Sequence, residues 1–112
     1  MSYNLFLDDQ DDKIRPVKKF YPSASENDFV RVKTFHKFVS TIREKGIPDF
    51  ISFDNDLGGK KEGFDCAKWL VNYSGLNLKN LEFNVHSANP VAKKNIESLL
   101  NNYIESCNQE NL

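Results

Sequence analysis

The feature that most constrains the fold is an apolar run set between two amphipathic segments. The run DFISF (49–53) is almost continuously apolar, as expected of a strand buried on both faces of a parallel sheet. The flanking segments, 34–45 and 64–73, carry apolar residues at the spacing of amphipathic helices. Strands that alternate with helices predict a parallel sheet with right-handed crossovers.

The other elements extend the same pattern. Strands are predicted at 3–7, 28–34, 49–53 and 81–87, and helices at 34–45, at 64–73 and from residue 90 onward. The segment 10–28 contains Pro16 and Pro22 and is predicted to be a long loop with at most one turn of helix. The expected fold class is α/β, with about four parallel strands in a three-layer arrangement.

Length and composition limit the possible functions. The chain of 112 residues fits a single domain, 1–112, with a flexible tail over 106–112. Its 15 basic and 16 acidic residues give a net charge of −1, which excludes a protein that coats nucleic acid through a general positive field. Two cysteines without C-x-x-C spacing, no secretion signal and no membrane-length apolar run favour a cytoplasmic protein.

Acidic residues follow two of the predicted strands. Asp8 and Asp9 end the first apolar run, and Asp54 and Asp56 follow the third. The carboxyl ends of parallel strands share one edge, where ligands bind. Two like charges about 4 Å apart repel by roughly 4 kcal/mol at an effective dielectric constant near 20. Such a cluster therefore keeps protons or binds a cation, and oxygen ligands favour magnesium, calcium or manganese over zinc.

The alternative for Asp8, Asp9 and Asp56 is an ordinary structural one. Aspartates are common after strands, where they cap helices or face solvent. The sequence leaves this interpretation open beside the metal site.

The stretch VHSANP, after the fourth predicted strand, adds candidate phosphate ligands. Asn89 and Pro90 predict the start of the last helix, whose N-terminal amides and dipole attract an anion. Ser87 can donate to a phosphate oxygen, and a phosphate would explain Lys93 in the first helical turn. His86 titrates near neutral pH, as acid–base catalysis requires, but it also fits a hydrogen-bonded core histidine.

Several motifs resemble the cyclic-phosphate processing receiver-like family, a divergent branch of the response-regulator receiver fold. They are LFLDD, the RP pair at 15–16, VRVKTFHKFVSTI, SFDNDLG, GFDCAKWL and VHSANPVAKKNI, in the family's order. The resemblance spans residue 4 to about residue 103. It implies a receiver-like (flavodoxin-like) sheet with a degenerate first helix and without the last strand–helix unit.

The resemblance also implies a site and a substrate class. In its terms Asp8 and Asp9 look like the metal-binding acidic pair, and Asp54 looks like the phospho-acceptor position. Ser87 looks like the hydroxyl residue after the fourth strand. The family is expected to process cyclic phosphate ends or cyclic nucleotides, often alongside RNA repair.

Three departures from the family pattern bear on activity. Asn55 replaces a common histidine, which removes one possible acid–base group. Ala92 replaces a glycine and Lys93 an arginine, which weakens a bidentate phosphate clamp. The final strand and helix are missing together with their lysine, which argues against an ordinary two-component switch.

The leading expectation is a Mg²⁺- or Mn²⁺-dependent phosphodiesterase that hydrolyses a cyclic phosphate on an RNA end or nucleotide. Asp8, Asp9 and Asp54 would hold the metal. His86 would protonate the leaving oxygen, and Asp56 would be a ligand or a helper base. The expected phosphate ligands are Ser87, Asn89, Lys93 and Arg15.

Two other functions remain possible on the sequence. A non-catalytic receiver-like module would bind a nucleotide, a phospho-ligand or a protein partner. A phosphatase of the haloacid-dehalogenase type would use a D-x-D motif, but in that group the motif normally follows the first strand, whereas Asp54 and Asp56 follow the third.

Overall fold

The computed structural model describes residues 3–9 and 29–110, which contain four strands and three helices in the predicted order. The elements are β1 (Asn4–Leu7), β2 (Phe29–Val32), α1 (Phe35–Lys45), β3 (Phe50–Phe53), α2 (Gly63–Asn72), β4 (Glu82–Val85) and α3 (Pro90–Glu110). The predicted loop over 10–28, the degenerate first helix and Arg15 lie outside the described residues. The observed strands are shorter than predicted by one to three residues.

The sheet has the order β2-β1-β3-β4, and every neighbouring pair is parallel. The predicted α/β receiver-like fold class is thus confirmed. All four residues of β3 are buried, as predicted for a central strand. The chain passes from β1 outward to β2 and then returns past β1 to β3, so the strand order reverses between β1 and β3. In sheets of this kind the crevice at that reversal is the usual place for a ligand.

The three helices pack on one face of the sheet. Right-handed crossovers that run in one direction, from β2 to β3 and from β3 to β4, place their helices on the same side. Alternate strand residues meet one stripe of each helix in a continuous core, which includes Leu5, Leu7, Ile51, Phe53, Val85, Phe38, Ile42, Trp69, Leu70, Ile96 and Leu100. The other strand positions, among them Phe6, Ser52 and Asn84, belong to the opposite face.

Local signals set the helix ends. Thr34 Oγ1 accepts the N–H of Lys37 at 3.1 Å and caps α1 as predicted, and Gly46 ends it with a φ of 86°. The helix α3 extends as far as Glu110, and the flexibility expected of residues 106–112 stays a prediction. Within the described ranges, no helix has both the length and the apolar character needed to cross a membrane.

Candidate metal and phosphate site

Backbone hydrogen bonds extend the sheet by one residue and position three candidate site residues. The N–H of Asp8 donates to Val32 O at 3.0 Å, that of Asp54 to Leu7 O at 3.0 Å, and that of His86 to Phe53 O at 2.9 Å. Each residue directly follows its strand, and the parallel register keeps the three at one edge of the sheet. The sequence prediction that these strand ends meet is confirmed for this trio.

Asp8, Asp54 and His86 each offer one possible ligand atom, and these atoms all lie within 4.8 Å of one another. The predicted metal set named Asp9 as the third carboxylate and did not include His86. Asp9 and Asp56 are exposed, yet both carboxylates act electrostatically on Asp54. The described site is therefore a partly buried trio, in which Asp8 is buried, with two further carboxylates at its rim.

The imidazole of His86 has a partner at each ring nitrogen. Nε2 lies 3.0 Å from Asp8 Oδ2, with the two side chains 5% and 4% exposed. Nδ1 lies 2.7 Å from Ser52 Oγ, and Ser52 donates its hydroxyl hydrogen to Asn84 Oδ1 at 2.5 Å. The ring of Phe6 stacks on the imidazole at a centroid distance of 4.9 Å. His86 is thus held from three sides, which matches the core-histidine interpretation of its surroundings.

The hydrogen bonds give His86 one partner on each side of its ring. An ionised carboxylate only accepts hydrogen bonds, so an Nε2–H group of His86 would donate to Asp8. At Nδ1, the tautomer of the imidazole decides whether His86 donates to Ser52 Oγ or accepts from it.

Asp54 is the carboxyl group of the site whose pKa is raised. Burial raises its pKa, and the neighbouring carboxylate of Asp8 adds to the shift, with smaller contributions from Asp9 and Asp56. The N–H of Asn55 donates to Asp54 Oδ1 at 2.8 Å and opposes the rise, which leaves the pKa at about 6. The ionised form of Asp54 consequently gains from any added positive charge.

The start of α2 is packed directly against the backbone that carries Asp54. A Cβ atom on Gly63 would lie 1.8 Å from the carbonyl oxygen of Asp54, so only glycine allows this approach. The N–H of Gly63 donates to Asn55 O at 2.8 Å. The loop after β3 is therefore braced by the first turn of α2.

Asn55 is part of that brace. Its buried side chain accepts the N–H of Phe64 and donates to Glu62 Oε2, both at 3.3 Å. The resemblance to the family implied that Asn55 marks a lost acid–base group. Its side chain instead bonds to the start of α2, so its observed role is to fix the loop.

At the start of α3, Asn89 is the predicted cap residue. Its Oδ1 accepts the N–H groups of both Val91 and Ala92 at 3.1 Å, and its own N–H donates to Ser87 Oγ at 3.1 Å. The cap thus occupies amides that the sequence analysis assigned to an anion. Ser87 still has its hydroxyl hydrogen for donation, and Lys93 is exposed.

A family model for the cyclic-phosphate processing receiver domain matches residues 3–102. The chain belongs to this family. The receiver domain also resembles a solved structure described as a yeast Spc42 trimeric coiled-coil segment, amino acids 181–211, fused to another structure. That likeness has a TM-score of 0.59 and 16% identity, and it covers 95% of this chain and 78% of the other, which shows the fold alone. A comparison with curated proteins found no match.

Sequence analysis of this receiver domain missed Phe6, Ser52 and Asn84 as parts of the site. Each lies two residues before Asp8, Asp54 or His86, on the same face of its strand. That two-residue alternation is the signal that would have found them. Ser52 in particular is the single polar residue of β3 and is fully buried.

Proposed function

We propose that this receiver domain is a divalent-metal-dependent hydrolase that opens a cyclic phosphodiester, on an RNA 2′,3′-cyclic end or a cyclic nucleotide. The observation that carries the proposal is the convergence of Asp8, Asp54 and His86, with ligand atoms within 4.8 Å of one another. The name of the family supplies the substrate class.

The residues of the site fit magnesium or manganese. Asp8 and Asp54 supply carboxylate oxygens, with Asp9 as a third donor from the rim, and such oxygen sets suit these ions. Because the pKa of Asp54 is raised, a bound cation would stabilise its ionised form. His86 orients Asp8 through its Nε2 proton, as the outer partners of ligand carboxylates do. The ion, when bound, would polarise the phosphate and lower the pKa of a water molecule.

The protein groups divide the proton transfers between them. The oxygen of water forms a bond to phosphorus, and the bond from phosphorus to one ester oxygen breaks. Asp54 or Asp56 accepts the proton that the water loses, and the leaving oxygen takes the Nε2 proton of His86 in its protonated form, which becomes a neutral imidazole. The product is a phosphate monoester with one free hydroxyl. The non-bridging oxygens would be bound by Ser87 and Lys93. Arg15, which lies outside the described residues, is proposed to bind them as well.

A second candidate function is a module that binds a nucleotide or phospho-ligand without turnover. The hydrogen bonds that the site residues already make favour this function. Asn89 already satisfies the amides of Val91 and Ala92, and both nitrogens of His86 have partners. Groups held in this way recognise a ligand more readily than they exchange protons with it.

Turnover of a panel of cyclic mononucleotides and RNA 2′,3′-cyclic ends, with Mg²⁺, Mn²⁺ or chelator, separates the two candidates. If the protein is a hydrolase, opening of the cyclic phosphate requires metal and is lost in the Asp54→Asn variant. Asp49→Asn is the matched control, because Asp49 is an exposed aspartate just before β3, at the opposite end of the strand. Metal-dependent binding without any opening would reject the hydrolase and support the binding module.

A further inference from the structure

We propose that the outer edge of β4 binds an extended, basic segment of a partner protein, which pairs with β4 as a fifth strand. Within residues 3–9 and 29–110, β4 is the last strand on its side of the sheet, with β3 as its only neighbour. Doubly wound sheets of the order 2-1-3-4-5 have a fifth strand at this position. The position is vacant in the described part of the chain.

The backbone of β4 offers hydrogen-bonding groups at this edge. The N–H of Glu82 donates to Asp49 O at 3.1 Å and that of His86 to Phe53 O at 2.9 Å, both toward the β3 side. Backbone groups alternate in direction along a strand, so the amides of Phe83 and Val85 point away from β3. An added strand would pair with these two residues.

A groove of about 490 Å³ runs along the same edge. Its lining comes from β4 and from one stripe of α3, with Glu82, Phe83, Asn84, Glu97, Asn101 and Ile104 as the main residues. The α3 residues recur at intervals of four and three, so they form one helix face beside the edge. The groove therefore has a strand edge as its floor and a helix as one wall, which suits a single extended chain.

Charge selects the kind of segment. Glu82 and Glu97 both line the groove, and neither forms an ion pair within the described ranges. Phe83 and Ile104 add apolar lining. Glu82 lies on the sheet face opposite the helices, and Glu97 belongs to α3, so a matching segment would carry lysine or arginine on both of its faces together with β-branched residues.

Asn84 adds a specific hydrogen-bond position. Its Nδ2 atom is buried and has no acceptor among the described atoms, while its Oδ1 accepts from Ser52. A buried donor without a partner is unfavourable, because it has lost its hydrogen bond to water. A carbonyl group of the bound segment would supply the missing acceptor.

A second copy of the chain fits this edge less well. Pairing of two β4 edges would bring Glu82 and Glu97 of both copies to one seam, where their carboxylates repel. The charge pattern thus favours a different, basic partner over self-association.

The probe is a short fluorescent peptide in which pairs of lysines alternate with pairs of valines, so that lysines lie on both faces of an extended strand, titrated into the full chain. Binding should protect the amides of Phe83 and Val85 from hydrogen exchange. Glu82→Lys and Glu97→Lys should each weaken binding about tenfold. Glu44→Lys, the same charge reversal at an exposed position of α1, should leave binding unchanged.

The same peptide methylated on alternate backbone nitrogens separates strand pairing from charge attraction alone, because it keeps every lysine. The proposal requires that it bind at least tenfold more weakly. Equal affinity of the two peptides, no binding to the wild-type chain, or dimerisation of the wild-type chain through β4 would each overturn the proposal.

Discussion

Asp8 and His86 are 78 positions apart in the sequence, and their side chains meet at 3.0 Å in a buried contact. Their strands are not neighbours, because β3 lies between β1 and β4. The contact therefore passes over the end of β3, where Ser52 supports the imidazole from the other nitrogen. Three strands must be in register before Asp8 and His86 can make this contact.

Replacement of Asp54 by asparagine should stabilise the protein at neutral and higher pH. Its pKa rises from 3.8 to about 6 on folding, so between these values the folded state binds more protons than the unfolded state. The free energy of unfolding consequently falls as pH rises through this window. Above about pH 7 the variant should be more stable than wild type by roughly 1–2 kcal/mol, after allowance for partial exposure.

Urea denaturation at several pH values measures this difference. Near pH 4 the two proteins should converge, because Asp54 is then largely protonated in the folded state. Asp49→Asn serves as control. It retains Asp54, so its stability should follow that of the wild-type protein at each pH. If the Asp54→Asn variant is no more stable than wild type at pH 8, folding does not disfavour the ionised form of Asp54.

Magnesium or manganese should raise the melting temperature of the wild-type protein, and chelator should reverse the rise. An ion at about 100 times its dissociation constant adds about 2.7 kcal/mol of stability. Asp8→Asn should abolish most of this effect, because it removes the buried carboxylate of the trio. An undiminished metal-dependent shift in that variant would contradict the assigned metal site.

Ser52→Ala should loosen His86 without touching either carboxylate. The loss of the hydroxyl leaves His86 Nδ1 and Asn84 Oδ1 without their observed partner, at a cost of about 1–3 kcal/mol. Metal affinity should fall by about tenfold, since the orientation of Asp8 depends on His86. Isothermal titration with Mn²⁺ measures the affinity.

Ser40→Ala is the control for Ser52→Ala, because Ser40 is exposed on α1 and its hydroxyl donates to Lys37 O. It should change neither the stability nor the metal affinity appreciably. If Ser52→Ala lowers stability but leaves Mn²⁺ affinity intact, Ser52 has only a packing role.

Gly63→Ala should disturb Asp54 through the backbone. The added methyl group would lie 1.8 Å from the Asp54 carbonyl oxygen, so α2 or the loop after β3 must move, at a cost of about 1–3 kcal/mol. Thermal denaturation measures the cost. Gly59→Ala is the matched control, because its Cβ would meet no atom within 4 Å. Equal stability of the two variants would show that α2 does not brace this loop.

The fold followed from the sequence because each element has a local cause. The apolar run of β3, the Thr34 cap and the Asn89–Pro90 helix start all depend on a few adjacent residues. Asp8, Asp54 and His86 could be assigned to one edge because all three follow parallel strands.

The finer geometry of the site was not predictable in the same way. The choice of His86 over Asp9 as the third member of the trio depends on how far each side chain reaches across the sheet. The use of Asn89 as a cap rather than as a phosphate ligand is a competition between two partners for the same amides. Such outcomes depend on distances between elements that are remote in sequence.

The long separation between Asp8 and His86 also bears on the order of folding. The repulsion that Asp54 feels from Asp8 arises only when β1 has paired with β3, and the imidazole that contacts Asp8 follows β4. A folding intermediate with β1 and β3 paired but without β4 would therefore hold the acids together before their histidine partner. The contact between His86 and Asp8 thus favours the docking of β4 onto β3.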